Sequence, residues 1–199
     1  MKKIIFSILI FVSTLLVTNV ESKGQCPTCP SPSTSESVIM GISGTSCSIT
    51  INYCLFCSPT GHPRIELCSI LFPIPYCNGL SITTSLLFEV KKAMVKDGSV
   101  KCATAMGLPI GPCPNRNIVE TYFPTCAKFG VPDEITGTTP LIPCGQLPGQ
   151  CYQEWEICFD NPNYTVTPVG PPFKVSGICE DEIIIIGPSL PSECFEICF

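Results

Sequence analysis

All sixteen cysteines of this 199-residue chain lie after residue 25, behind a charge-free apolar run. That placement constrains the fold more than any other feature. Lys2 and Lys3 form a basic start, Ile4 to Val17 is apolar or small, and polar residues follow at Thr18, Asn19, Glu21, Ser22 and Lys23. Those three parts in that order are the pattern of a secretory signal peptide. The run is about 14 residues, short of the about 20 that span a bilayer. Residues 1–22 are therefore expected to be a cleaved signal, with Val20 and Ser22 before the cut and no transmembrane segment afterwards. A chain sent to an oxidising compartment pairs its thiols. About 177 residues would remain, roughly 9 per cent of them cysteine, the level of a disulfide scaffold.

The disulfide candidates are Cys26, Cys29, Cys47, Cys54, Cys57, Cys68, Cys77, Cys102, Cys113, Cys126, Cys144, Cys151, Cys158, Cys179, Cys194 and Cys198. Sixteen cysteines allow about two million pairings, so counting alone gives no connectivity. Strand geometry forbids two individual bonds. Cys47, Ile49, Ile51 and Tyr53 alternate with polar residues, and Cys151 to Cys158 alternates in the same way. Such alternation is the period of a half-buried strand. Seven residues of strand cover about 23 Å, and a disulfide needs Cα atoms within about 7 Å. Cys47 and Cys54, like Cys151 and Cys158, must each bond to another element. The odd spacing also sends the two side chains of each strand to opposite faces.

The fold expected is mostly β: disulfide-rich, sandwich-like sheets of short strands with one α-helix at about 81–97. Residues 46–72 read as a hairpin around Ser58-Pro-Thr-Gly61. Ser81 is the expected N-cap of the helix, Ile82, Leu86, Val90 and Met94 its apolar face, and Asp97-Gly98 its stop. Prolines 109, 112, 114, 124, 132, 140 and 143 leave room only for short strands such as Ile118 to Phe123. Tyr164 to Pro168, Phe173 to Cys179 and Glu182 to Ile186 are further short strands. Residues 23–45, rich in proline and serine, read as an exposed tail or linker with order from about Val38. Residues 46–199 read as the disulfide-rich domain. The shared Cys-x6-Cys spacing suggests two related halves, 46–143 and 144–199.

Charge excludes some functions. The formal net charge is −5, and loss of Lys2, Lys3 and Glu21 makes it one unit more negative. No basic block exists, so a nucleic-acid partner is not expected. Nor is there the basic amphipathic helix of a membrane-surface protein.

Candidate chemistry is sparse. Cys26-Pro-Thr-Cys29 and Cys54-Leu-Phe-Cys57 are both C-x-x-C, a spacing used by zinc and redox sites. In an oxidising compartment with twelve other cysteines, structural bridges are the expected use, and no cofactor is expected. His62 is the single histidine, placed in a turn, which removes most Ser-His-Asp and Cys-His machines. Glu154 and Glu156 share a strand face with Tyr152, opposite Trp155 and Ile157. Two carboxylates can serve glycoside hydrolysis, but a solvated strand face has the same pattern. Trp155 is expected in the core rather than as a sugar platform. Glu180-Asp-Glu182 lacks the spaced ligands of a calcium loop. Asn163-Tyr-Thr165 matches a glycosylation acceptor, but the Met-Lys-Lys start reads as bacterial and no modification is expected. Phe195 to Phe199 reads as a final strand or turn pinned by Cys194 and Cys198. The functional expectation is a secreted, non-enzymatic surface, matrix or binding protein with an extracellular protein or glycan as partner. The alternatives are a hydrolase using Glu154 and Glu156, and an inhibitor or toxin-like effector presenting the loop 58–64.

Overall fold

The structure, a computed structural model, describes residues 26, 29–75, 77, 80–113, 115–144, 149–176 and 194–198. The expected strand at Glu182 to Ile186, the acidic triplet at 180–182 and Cys179 lie outside them.

Among the described residues nine strands and one helix follow one another: β1 (Thr34–Gly41), β2 (Ser48–Phe56), β3 (Arg64–Pro73), α1 (Thr84–Met106), β4 (Asn117–Pro124), β5 (Cys126–Phe129), β6 (Thr138–Pro143), β7 (Gln150–Asp160), β8 (Asn163–Lys174) and β9 (Phe195–Glu196). The described part of the fold is mostly β with a single helix, as its periodicities indicate. The strands form one curled sheet that forks at β3. One edge of β3 pairs with β2. The other meets β4 in parallel at Arg64–Glu66 and β6 antiparallel at Ile70–Pro73. The first arm continues through β7 to β8, the second through β5 to β9. A parallel pair cannot be closed by a tight turn, and α1 is the crossover between β3 and β4.

β3 also carries a bulge against β2. Tyr53 opposes Leu67 and Asn52 opposes Ser69, leaving Cys68 extra. An extra residue inverts the alternation of a strand. Ile65 and Leu67 are buried before it, Ile70 and Phe72 after it. Ile49, Ile51, Tyr53 and Leu55 of β2 join them, with Val119 and Phe123 of β4 and Trp155 and Ile157 of β7. α1 lies on this inner face, so the Phe88 and Trp155 rings approach to 5.5 Å. The Trp155 indole N–H donates to Thr121 Oγ1 at 3.0 Å with no solvent exposure, which places it in the core as expected.

The helix differs from its sequence reading at both ends. Thr83, not Ser81, is the N-cap: its hydroxyl accepts from the Leu86 amide at 3.1 Å. Asp97-Gly98 does not stop it. A Cβ on Gly98 would lie 2.6 Å from Ile65 Cδ1 and 3.2 Å from Leu55 Cδ1, so the glycine lets helix and sheet approach. The stop is Gly107, which takes the left-handed conformation (φ 65°) that a C-terminal cap favours.

Within the segment expected as a tail, Thr34–Gly41 is instead a strand. β1 runs antiparallel to β2 from Ser48 to Leu55, and Cys26–Cys68 and Cys29–Cys54 tie the segment before it to the hairpin. Proline and serine dominate only up to Ser33, and Val38 and Met40 pack on the core. Likewise β8 is one strand rather than two. It passes through Gly170-Pro171-Pro172 at a break in register between Tyr152 and Glu154. Prolines are tolerated there because β8 is an edge and its outward amides need no partner.

The remaining described bridges are Cys47–Cys77, Cys57–Cys102, Cys113–Cys158, Cys144–Cys194 and Cys151–Cys198. Cys126 is bridged as well. Cys47, Cys54, Cys151 and Cys158 each reach another segment, as strand length requires. For Cys47 and Cys54 the opposite-face rule also holds. Cys47 and Cys151 lie in the core cluster, while Cys54 points to the outer face with Cys29. No described bridge joins the part up to Cys102 to the part from Cys113. Among the described bridges the covalent partition thus falls between 102 and 113. The division at 143/144 is crossed by Cys113–Cys158, because β4 and β7 are partners in the same arm.

Candidate functional site

The outer face of the β3–β4–β7–β8 arm carries a group of half-buried and exposed polar and aromatic side chains. Its order follows from register. Glu66, Tyr122, Tyr152 and Phe173 stand side by side across four strands. Arg64, Glu120, Glu154 and Val169 form the next row. The inward residues of these strands are the core apolars, so alternation drives this set outward. α1 covers only the opposite face.

The aromatic rings touch in sequence. Tyr122 and Tyr152 have centroids 5.2 Å apart, and Tyr152 and Phe173 5.1 Å. Phe173 is 56 % exposed. The Arg64 guanidinium lies 4.0 Å above the Tyr122 ring and 3.8 Å from Glu66, and Gln150 Nε2 donates to Glu66 Oε1 at 3.1 Å. The Tyr152 hydroxyl donates to Glu154 Oε1 at 2.6 Å. Burial and then this hydrogen bond hold the Tyr152 phenol well above its ordinary range. Burial and then Glu120 raise Tyr122, with Arg64 opposing. Both hydroxyls therefore stay protonated and donate to carboxylates.

Glu120 and Glu154 are direct cross-strand neighbours. Like charges in that position repel. Glu156, the next outward residue of β7, pairs with Arg116. Four carboxylates, Glu66, Glu120, Glu154 and Glu156, thus share the face with two guanidiniums, Arg64 and Arg116, and the balance is acidic. Where the face meets β2, a recess of about 330 Å³ opens between Pro30–Ser33, Phe56, Arg64 and Glu66.

The two glutamates singled out from sequence share a face with Tyr152, as alternation required. They line neither this recess nor the one of about 440 Å³ beside Gly107, Ile110 and Tyr164. Each already has a partner, a phenol for Glu154 and a guanidinium for Glu156. His62 is exposed, in the connection between β2 and β3. Asn163, exposed, opens β8. Tyr122, Phe173 and Arg64 were missed by sequence reasoning. The alternation of β4 carried a signal, since Glu120 and Tyr122 share the parity of Tyr152 and Glu154 on their own strands. Only the cross-strand register brings the four together.

The C-x-x-C pairs separate. Cys57 bonds to Cys102 at the helix, away from Cys54. Cys26, Cys29, Cys54 and Cys68 instead gather, with all four Sγ atoms within 4.8 Å of one another. Among the described residues no helix is long and apolar enough to cross a membrane. No family model, curated protein or solved structure matches the chain.

Proposed function

We propose that the chain is a secreted, non-enzymatic binding protein whose site is the outer face of the β3–β4–β7–β8 arm. Its partner is an extracellular protein that presents lysine or arginine. The observation that carries this reading is the aromatic row Tyr122–Tyr152–Phe173 set beside four carboxylates and two guanidiniums. Tyrosine and arginine dominate the energetics of protein interfaces. An excess of carboxylates attracts a cationic partner and rejects an acidic one. The extensive bridging supports an extracellular address, and residues 1–22 fit the signal that such an address needs.

The test measures binding of a lysine- and arginine-rich peptide to the protein by calorimetry, beside a neutral oligosaccharide panel. Tyr152→Ala and the double change Glu120→Gln with Glu154→Gln are expected to weaken peptide binding at least tenfold. Raising the salt concentration is expected to do the same. Binding of a neutral oligosaccharide with an inert peptide would move the partner to a glycan and overturn the protein reading. Peptide binding unchanged in both variants would remove the face from consideration.

A further inference from the structure

We propose that Cys26, Cys29, Cys54 and Cys68 form a zinc tetrathiolate site in the reduced chain, which the oxidised chain replaces by two bridges. Two different elements supply the sulfurs. Cys26 and Cys29 come from the loop before β1, at the two-residue spacing usual for zinc ligands. Cys54 and Cys68 come from neighbouring strands of the β2–β3 hairpin. Cys68 stands on the outer face two residues after Glu66, and its Sγ lies 3.5 Å from Cys54 Sγ.

The distances fit. Zinc–sulfur bonds of about 2.3 Å in a tetrahedron place the sulfurs about 3.8 Å apart. All four Sγ atoms lie within 4.8 Å of one another; once the two bonds open, each bonded pair parts from about 2.0 Å to about 3.8 Å and the wider pairs close, shifts of about 1 Å per sulfur. The two bridges run Cys26–Cys68 and Cys29–Cys54, each from loop to hairpin. Zinc would join the same elements, so β1 and the hairpin stay clamped in either state. A zinc ion with four thiolates carries two negative charges, and Arg64, lining the recess with Cys54, offsets part of them. Among the described residues no other group of three or more potential ligands is this close.

The exchange balances with a trialkylphosphine as reductant. Each phosphine takes the oxygen of one water molecule and becomes a phosphine oxide. It delivers two electrons and two protons to one bridge, giving two thiols. Two phosphines open both bridges, and the four thiols release four protons as they bind Zn²⁺.

The experiment treats the oxidised protein with increasing phosphine in the presence of Zn²⁺. It then measures zinc per chain after desalting and maps which cysteines resist alkylation. One zinc per chain is expected, with Cys26, Cys29, Cys54 and Cys68 protected. Co²⁺ in its place should give the visible absorption of a tetrahedral thiolate site. The variant Cys29→Ser with Cys54→Ser removes one bridge whole and is expected to lose the metal. Cys144→Ser with Cys194→Ser removes a distant bridge and is expected to keep it. Zinc that protects other cysteines, zinc retained by the first variant, or no protection once all four are thiols would overturn the proposal. None of these outcomes bears on the aromatic face.

Discussion

Lys101 Nζ lies 2.7 Å from Asp97 Oδ2, one helical turn before it on α1, and the same ammonium reaches Glu36 of β1 at 3.0 Å. The Tyr53 hydroxyl, from a residue with no solvent exposure, donates to the same Asp97 carboxylate. Burial and then Asp97 hold that phenol far above its ordinary range. The ammonium is thus the one cation among three groups that bind β1, β2 and the helix. Lys101→Met leaves two carboxylates facing each other beside a buried phenol. A loss of about 1–2 kcal/mol is expected, discounted for the partial exposure of the pair. Urea denaturation measures it, and Lys101→Arg should recover most of it.

Lys91 lies on the inner face of α1 at 2 % exposure, its ammonium 4.8 Å from the Phe123 ring. Burial pulls its pKa from 10.5 down to about 8. Between those values the unfolded chain binds more protons than the folded one, so folding stability rises with pH from about 8 to about 10. Above about 10 the tyrosines oppose this, because Tyr53 and Tyr152 keep their protons in the fold and lose them on unfolding. Lys91→Met should remove the rise that the parent protein shows. Thermal denaturation from pH 7 to 10 follows both. A flat profile in the parent protein would contradict the assignment.

Gly98 contributes through what it lacks. Alanine in a helix gains about 1 kcal/mol over glycine. Here the methyl would meet the fully buried Ile65 at 2.6 Å, and such overpacking costs about 1–3 kcal/mol. Gly98→Ala is expected to destabilise the protein by about 1 kcal/mol. Ile65→Val deletes the colliding atom, so the double variant should be more stable than the sum of the two single changes. Additive effects would show that helix and sheet do not meet there.

The covalent partition predicts the behaviour of a nicked chain. A protease site inserted between Gly107 and Leu108, which is 56 % exposed, would be cut between the two bridged sets. The cut protein should migrate as one particle in native solution, since β3 still pairs with β4 and β6. Under denaturing, non-reducing conditions it should separate into two fragments. A single band there would mean that a bridge crosses the cut.

Much of this was legible in the residues, and the reasons differ by element. β2 and β7 were legible because a half-buried strand imprints its period directly. The bulge at Cys68 is written as a change of parity, from Ile65 and Leu67 to Ile70 and Phe72, which becomes meaningful once a partner strand fixes the register. Gly98 read as a stop because glycine weakens helices, and only the approach of Ile65 explains it. β1 was hidden by the proline and serine before it. The aromatic row was illegible because Tyr122, Tyr152 and Phe173 lie far apart in sequence, and no local pattern states which strands are neighbours.

The bridges also set how far the molecule can be drawn out by force. From Cys26 a pulling load passes through Cys29–Cys54, Cys57–Cys102, Cys113–Cys158 and Cys151–Cys198. That route holds about 24 peptide steps and reaches roughly 100 Å when taut, against roughly 580 Å for the same chain without bridges. Nearly half of those steps lie between Cys102 and Cys113. Under tension the chain behaves as two short, almost inextensible links with a single slack joint, and the sheet contacts across that joint yield first.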